Sequence, residues 1–244
     1  MVYVDDGIFL SPKANEIDKC LKDMSSIFNL TDEGKISDYL GIKVQKCPSA
    51  KTITLTQPHL IASIMTDMNF AAKTKTKGVP ARPSVILQRD LEGPVFDEYW
   101  NYRSVIGKLN FLEKSTRPDI AYAVHQSARF AANPKASHAS AVRQIVRYLA
   151  GTSSKGLILR PNEHSFVVWA DADLCVNWDK NTGVSDLMTA KSRSGYAITS
   201  AGYPVLWASK LQTEVVLSTT EAKYIFLSQL LRDTIPIMRL GRGN

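Results

Sequence analysis

Cysteine is scarce in this chain of 244 residues: Cys20, Cys47 and Cys175 are odd in number, far apart and without a C-x-x-C pair. That excludes a disulfide scaffold and a paired-cysteine zinc or redox motif, and it points to a reducing, intracellular setting. Long apolar runs are also missing, since no stretch approaches the roughly 18 to 20 residues that cross a bilayer. The opening MVYVDDGIFLSPK sets two acids inside its first apolar run, where a secretory leader needs a basic start and unbroken hydrophobicity. The four histidines, His59, His125, His138 and His164, show no metal-ligand spacing. Excess charge and low hydrophobicity are absent too: 44% hydrophobic against 22% charged residues excludes a disordered or fibrous chain.

What the chain does have is a concentrated positive charge. Between Tyr99 and Arg160 stand ten basic residues and only two acids, a local charge of +8 in a chain whose total is +7. A basic block in an otherwise neutral chain is the footprint of a phosphate-binding surface. A solvated helical face would look the same in sequence.

Periodicity divides the chain into four parts. Val2–Val4 and Gly7–Leu10 read as two strands of a hairpin with Asp5 and Asp6 at its tip. Ile17, Leu21, Met24 and Phe28 make one stripe of an amphipathic helix. Residues 40–44 and 53–55 read as strands, and Leu60, Ile61, Ile64, Met65 and Met68 as the face of a second helix. These make residues 1–70 a first unit. Residues 71–98, rich in Lys, Pro and Gly, read as a linker. Helices fill 99–155: Pro118 suits a first helical turn, Val142, Ile145, Val146 and Leu149 share a core face, and Gly151 stops the last helix. From 156 to 244, LILR, FVVWAD, GYAIT and PVLWAS read as strands of a mixed sheet with a helix starting near Ser218.

Carboxylates at a hairpin tip or strand end suit Mg²⁺, which takes oxygen ligands. Two sets qualify: Tyr3-Val4-Asp5-Asp6, and Ala170-Asp171-Ala172-Asp173 with the later Ser218-Thr219-Thr220-Glu221. Ser218 and Glu221 equally fit a capping box, in which a hydroxyl and a glutamate close a helix N-terminus.

In this order the motifs resemble the copia-type retrotransposon Pol polyproteins, over nearly the whole chain. Tyr3-Val4-Asp5-Asp6 is similar to their YVDD polymerase box, and Tyr39-Leu40-Gly41-Ile42 to the F-L-G-I segment associated with the primer end. Leu55-Thr56-Gln57 resembles the L-S-Q that opens the thumb helix. Tyr102-Arg103-Ser104-Val105-Ile106-Gly107, Thr116-Arg117-Pro118-Asp119-Ile120-Ala121 and Arg147-Tyr148-Leu149 with Gly151-Thr152 resemble Y-R-S-x-x-G, T-R-P-D-I-A and R-Y-L-x-G-T. Ala170-Asp171-Ala172-Asp173, Ser192-Arg193-Ser194-Gly195-Tyr196, Trp207-Ala208-Ser209-Lys210 and Leu217-Ser218-Thr219-Thr220-Glu221-Ala222-Lys223-Tyr224 are similar to S-D-A-D, S-T-S-G-Y, W-S-S-K and L-S-T-T-E-A-E-Y.

The resemblance implies an α+β chain: part of a reverse-transcriptase palm and thumb, a helical connection, and an incomplete RNase H-like mixed sheet with a helix. It implies Asp5 and Asp6 as polymerase metal ligands, Asp171 and Glu221 as RNase H ligands, and Mg²⁺ or Mn²⁺ as the family's cation. The basic block, with Arg103, Lys108, Arg117, Arg143 and Arg147, would lie along an RNA–DNA hybrid. The family's other catalytic carboxylates fall outside this sequence, and Asp233 follows Glu221 at the wrong helical angle to replace one. The expectation is a Pol fragment that holds no cation tightly and does not catalyse by itself. The alternatives are a nucleic-acid-binding remnant and an exapted, effector-like interaction protein, although the chain has no R-x-L-R string.

Overall fold

The computed structural model describes residues 2–3, 6–70, 74–83, 85–160, 165–175, 177–180, 183–184 and 186–242. Two antiparallel sheets, of four and three strands, flank a helical centre, and a two-stranded pair stands at the N-terminus. That pair is β1 (Val2–Tyr3) with β2 (Asp6–Gly7), Tyr3 opposite Asp6. The second strand therefore starts earlier than the apolar pattern suggests, and Ile8–Leu10 follow outside it. Helix α1 (Ala14–Ser25) keeps Ile17, Leu21 and Met24 on one face but fully buries none of them, and Phe28 lies exposed beyond its end.

The first sheet runs β3 (Asp38–Tyr39), β4 (Ile42–Cys47), β5 (Thr52–Thr56). Between β3 and β4, Leu40 and Gly41 both adopt left-handed φ, 51° and 73°, as a two-residue type I′ turn demands. Leu40 pays steric strain there that glycine does not. The fourth strand, β6 (Leu157–Leu159), pairs Leu159 with Ile53 and Leu157 with Leu55. So LILR completes the first sheet rather than starting the last one, and the pairing crosses the boundary expected at residue 156. Gly156 permits it, because a Cβ there would stand 1.9 Å from the Leu55 carbonyl oxygen.

The helical centre comprises α2 (Pro58–Asp67), α3 (Tyr102–Ser115), α4 (Ala121–Ala128) and α5 (Ala136–Ala150). Their stripes meet in one core: Ile61 and Ile64, Val105, Leu109 and Leu112, and Val142, Ile145, Val146 and Leu149. Each such side chain is worth about 1.5–3 kcal/mol of burial. Residues 74–98 have no helix or named strand among the described residues, yet they are not a free linker. Arg147 O accepts the Lys77 N–H, Gln144 Nε2 donates to Val79 O at 2.8 Å, and Phe96 joins a ring cluster with Trp100 and Tyr102. The segment is a strap laid over α5. His138 holds it too: Nδ1 accepts the Lys135 N–H at 2.9 Å, so Nε2 carries the proton and donates to Gln88 O at 2.7 Å.

The last sheet is β7 (Phe166–Asp173), β8 (Arg193–Ser200), β9 (Tyr203–Leu211), in that order. All pairings among the described residues are antiparallel, so the mixed sheet expected from sequence is not what these strands form. Helix α6 (Thr219–Arg242) packs on one face through Ala222, Phe226 and Leu230 against Ala172. Tyr196 fastens it by donating to Asp233 Oδ2 at 2.7 Å. On the β9 side, Trp207 Nε1 donates to Glu113 O on α3.

Two histidines couple this fold to pH. Burial lowers His138, and burial with Lys114, Arg193 and Lys210 nearby lowers His125 to about 4. The Gln88 carbonyl and Asp90 oppose the shift of His138, while Arg129 and Lys135 reinforce it. The unfolded chain, with histidine near 6.5, takes up protons first, so the stability these groups contribute is complete above pH 6.5 and fades as pH falls toward 4. The thermal midpoint should drop between pH 6.5 and 5, and His125→Gln should shallow that slope. A midpoint unchanged over this interval would contradict the burial of both rings.

Candidate metal and nucleic-acid site

The RNase H carboxylates rest on two elements that touch. Strand side chains alternate between faces. Ala172 and Val168 point into the cluster beneath α6, so Asp171 leaves β7 on the opposite face, beside exposed Trp169. Its Oδ1 accepts the N–H of Ala172 at 2.9 Å. Glu221 sits in the first turn of α6, and its Oε2 accepts the Leu217 N–H at 2.9 Å while Ser218 Oγ accepts the Glu221 N–H at 3.1 Å. That is a capping arrangement closing the helix. The sheet therefore stands between the Asp171 side chain and the helix carrying Glu221.

Asp233 is turned toward Tyr196 and tied to it. Burial, reinforced by the bond to Asp233 and by its negative charge, holds the Tyr196 phenol well above its usual range. Asp5 lies outside the described residues, and Asp6 is placed only by its backbone in β2. Among the described residues no three His, Cys, Asp or Glu side chains gather as a metal site. Asp171 and Glu221 do not fit a shared cation, because such an ion needs converging oxygens.

The basic residues fare unequally. Arg117, expected on a phosphate-facing surface, is only 1% exposed. Its Nε and Nη2 bind both oxygens of Asp119 at 2.9 and 2.8 Å, Nη1 and Nη2 reach Thr152 O and Oγ1, and the guanidinium lies over the Tyr148 ring. Tyr148 also donates to Asp119 at 2.7 Å. Desolvation opposes the shift, but the bonds from Arg117 and Tyr148 hold the Asp119 carboxyl below its usual range. This guanidinium binds the chain to itself, and no donor face remains for a phosphate. Lys108 pairs with Asp67 at 2.6 Å, and Arg143 pairs with Glu98 at 2.5 Å. Arg147 is half-buried with its Nε unpartnered. Arg103 is exposed and, among the described residues, donates only Nε, to Ala131 O.

A second cationic cluster has no counterpart in the sequence reading. Lys114 from α3, Arg193 from β8 and Lys210 from β9 surround His125 on α4. Arg193 is nearly buried, donates Nη1 to Ser209 Oγ at 3.2 Å and lies over Tyr122 at 5.1 Å. Four distant segments contribute, so no local motif could reveal the cluster. The one signal was Arg193 standing in S-R-S-G-Y where the family pattern has threonine.

Two substitutions test these assignments. Arg117→Ala should cost about 3 kcal/mol in denaturant unfolding, the lower range for breaking a buried pair because Asp119 is part-exposed. Ser218→Ala should cost about 1 kcal/mol as a lost cap. A loss under about 0.5 kcal/mol for Arg117→Ala, the size of an ordinary surface change, would contradict its structural role.

No family model and no solved structure matches the chain. Among curated proteins it is 31% identical over 244 residues to the retrovirus-related Pol polyprotein from transposon TNT 1-94 of Nicotiana tabacum, covering 98% of this chain and 18% of that one. It is 32% identical over 228 residues to the retrovirus-related Pol polyprotein from transposon RE1 of Arabidopsis thaliana, covering 92% and 14%. It is also 35% identical over 135 residues to the secreted RxLR effector protein 161 of Plasmopara viticola, covering 55% of this chain and 89% of that one. The chain thus spans less than a fifth of either polyprotein. Over nearly its whole length, with the motif order carried through both sheets and the helical centre, the chain is thus a moderate-identity homologue of copia-type retrotransposon Pol polyproteins.

Proposed function

We propose that this chain is a nucleic-acid-binding stretch of the reverse transcriptase–RNase H part of a copia-type Pol polyprotein, and that it performs no metal-dependent phosphoryl transfer by itself. The observation that carries the reading is the pleat of β7, which sends Asp171 away from the helix bearing Glu221. Two-metal cleavage needs carboxylates that converge on one phosphate. Here one carboxylate caps a helix and the other faces solvent. The first sheet with α2 fits the end of a palm and thumb, 99–155 a helical connection, and β7–β9 with α6 the opening of an RNase H-like unit.

Binding would rest on charge rather than base reading, as shape-directed recognition of a hybrid requires. With Arg117 buried and Lys108 and Arg143 paired, Arg103 is the exposed member of the predicted set that remains free to meet a phosphate. Few phosphates would be neutralised, so affinity would fall gently with salt. A second reading, an interaction protein on the same scaffold, is favoured by the similarity to a protein named as a secreted effector, over more than half of this chain.

Incubated with a labelled RNA–DNA hybrid and Mg²⁺ or Mn²⁺, the purified chain should leave the RNA intact. Metal-dependent cleavage abolished by Asp171→Asn would overturn the proposal. In binding titrations, log K against log salt should slope at about −2 to −3, and Arg103→Ala should reduce that magnitude by about 1. Absent or salt-independent binding would favour the interaction reading instead.

A further inference from the structure

Helix α6 is apolar on two sides. With successive residues about 100° apart, Ala222, Phe226 and Leu230 centre on the side that meets the sheet. About 140° round the helix, Tyr224, Leu227, Leu231, Ile235 and Met238 fall within an arc of about 80°, and they are between 37% and 70% exposed. They form a second continuous stripe, about 21 Å long at 1.5 Å per residue. A helix lying on a sheet ordinarily turns charge toward water. This one turns five large apolar side chains there, and a contiguous patch of that kind marks an interaction surface.

The charges beside the stripe complement their own reversal. Glu221 and Arg239 stand on the same flank, about 40° beyond Ile235, one near each end of the helix. A two-fold axis near Leu231 turns the helix end for end, so Glu221 meets Arg239 of a second copy and Arg239 meets its Glu221, as an isologous interface requires. Glu221 spends only Oε2 on the Leu217 N–H, and neither residue forms an ion pair among the described residues. Antiparallel helix dipoles attract as well. On the other flank, Lys223 comes opposite Met238 of the second copy rather than a like charge. Asp233 is turned to the sheet by Tyr196 and takes no part. The two Arg232 side chains flank the axis and oppose the pairing, and the stripe of one helix offers less than the roughly 800 Å² per partner of a standard interface.

We propose that this stripe is the interface of a homodimer, in which two copies of the chain pack α6 against α6 in antiparallel order across a two-fold axis at Leu231. The pair is weak, with a Kd on the order of 10 μM. Arg103 lies outside the interface, so the dimer stands or falls independently of nucleic-acid binding.

Sedimentation equilibrium of the full chain under reducing conditions, from about 1 to 200 μM, should show the mean mass rise from that of one chain toward that of two. Leu231→Glu, at a position already exposed, should weaken association at least about tenfold and leave the thermal melt unchanged. Arg239→Glu should weaken it about three- to fivefold, and adding Glu221→Arg should restore it. Cross-linking reads the register. With Cys20→Ser and Cys47→Ser in place, oxidation should join Leu231→Cys chains into a covalent dimer. Tyr224→Cys chains should stay single, because the two copies of residue 224 stand about 20 Å apart, beyond the reach of a disulfide. A mean mass of one chain throughout, association that Leu231→Glu leaves intact, or equal linking at positions 224 and 231 would overturn the proposal.

Discussion

The helical centre depends on a single buried guanidinium. Arg117 sits where α3 ends and the chain turns toward α4, and its donors are divided between Asp119 in that turn and Thr152 beyond the end of α5. An isolated buried cation would cost several kcal/mol. Here a two-point bond to a carboxylate, two threonine oxygens and an aromatic face offset that cost. Tyr148 closes the loop by donating to the same carboxylate. The T-R-P-D string and the R-Y-L-x-G-T string therefore form two halves of one clasp. Their positive charges were legible as charge, but one of them is spent on the fold.

The same constraint separates lineage from present chemistry. Motif order and identity make the chain a homologue of copia-type Pol polyproteins, yet a family's chemistry resides in side-chain convergence rather than in strings. Strand alternation turns Asp171 from the face that α6 covers, and the capping bond directs Glu221 back along its own helix start. Each residue satisfies a local demand. Neither arrangement requires a cation.

Much of the fold was readable because it follows period and punctuation. The α5 stripe, the apolar face of α2 from Leu60 to Ile64, the β7–β9 strands and the helix after Ser218 all have local signals. What escaped depends on partners far along the chain. LILR looks like any strand, and only the approach of Gly156 to Leu55 assigns it to the first sheet. The strap reads as a linker because its bonds come from Gln144, Arg147 and His138 on α5. For the site, residue types were legible but directions were not: Arg117 turns inward, and the cations around His125 assemble from three helices and strands besides its own.

The most direct test of the central claim is a crystal structure of this chain grown with Mn²⁺ and measured at the manganese absorption edge. The account predicts no anomalous peak joined to both Asp171 and Glu221, with Glu221 still bonded to the Leu217 N–H. A manganese ion ligated by both carboxylates, with the cap broken and the Asp171 side chain swung to the α6 side, would contradict it.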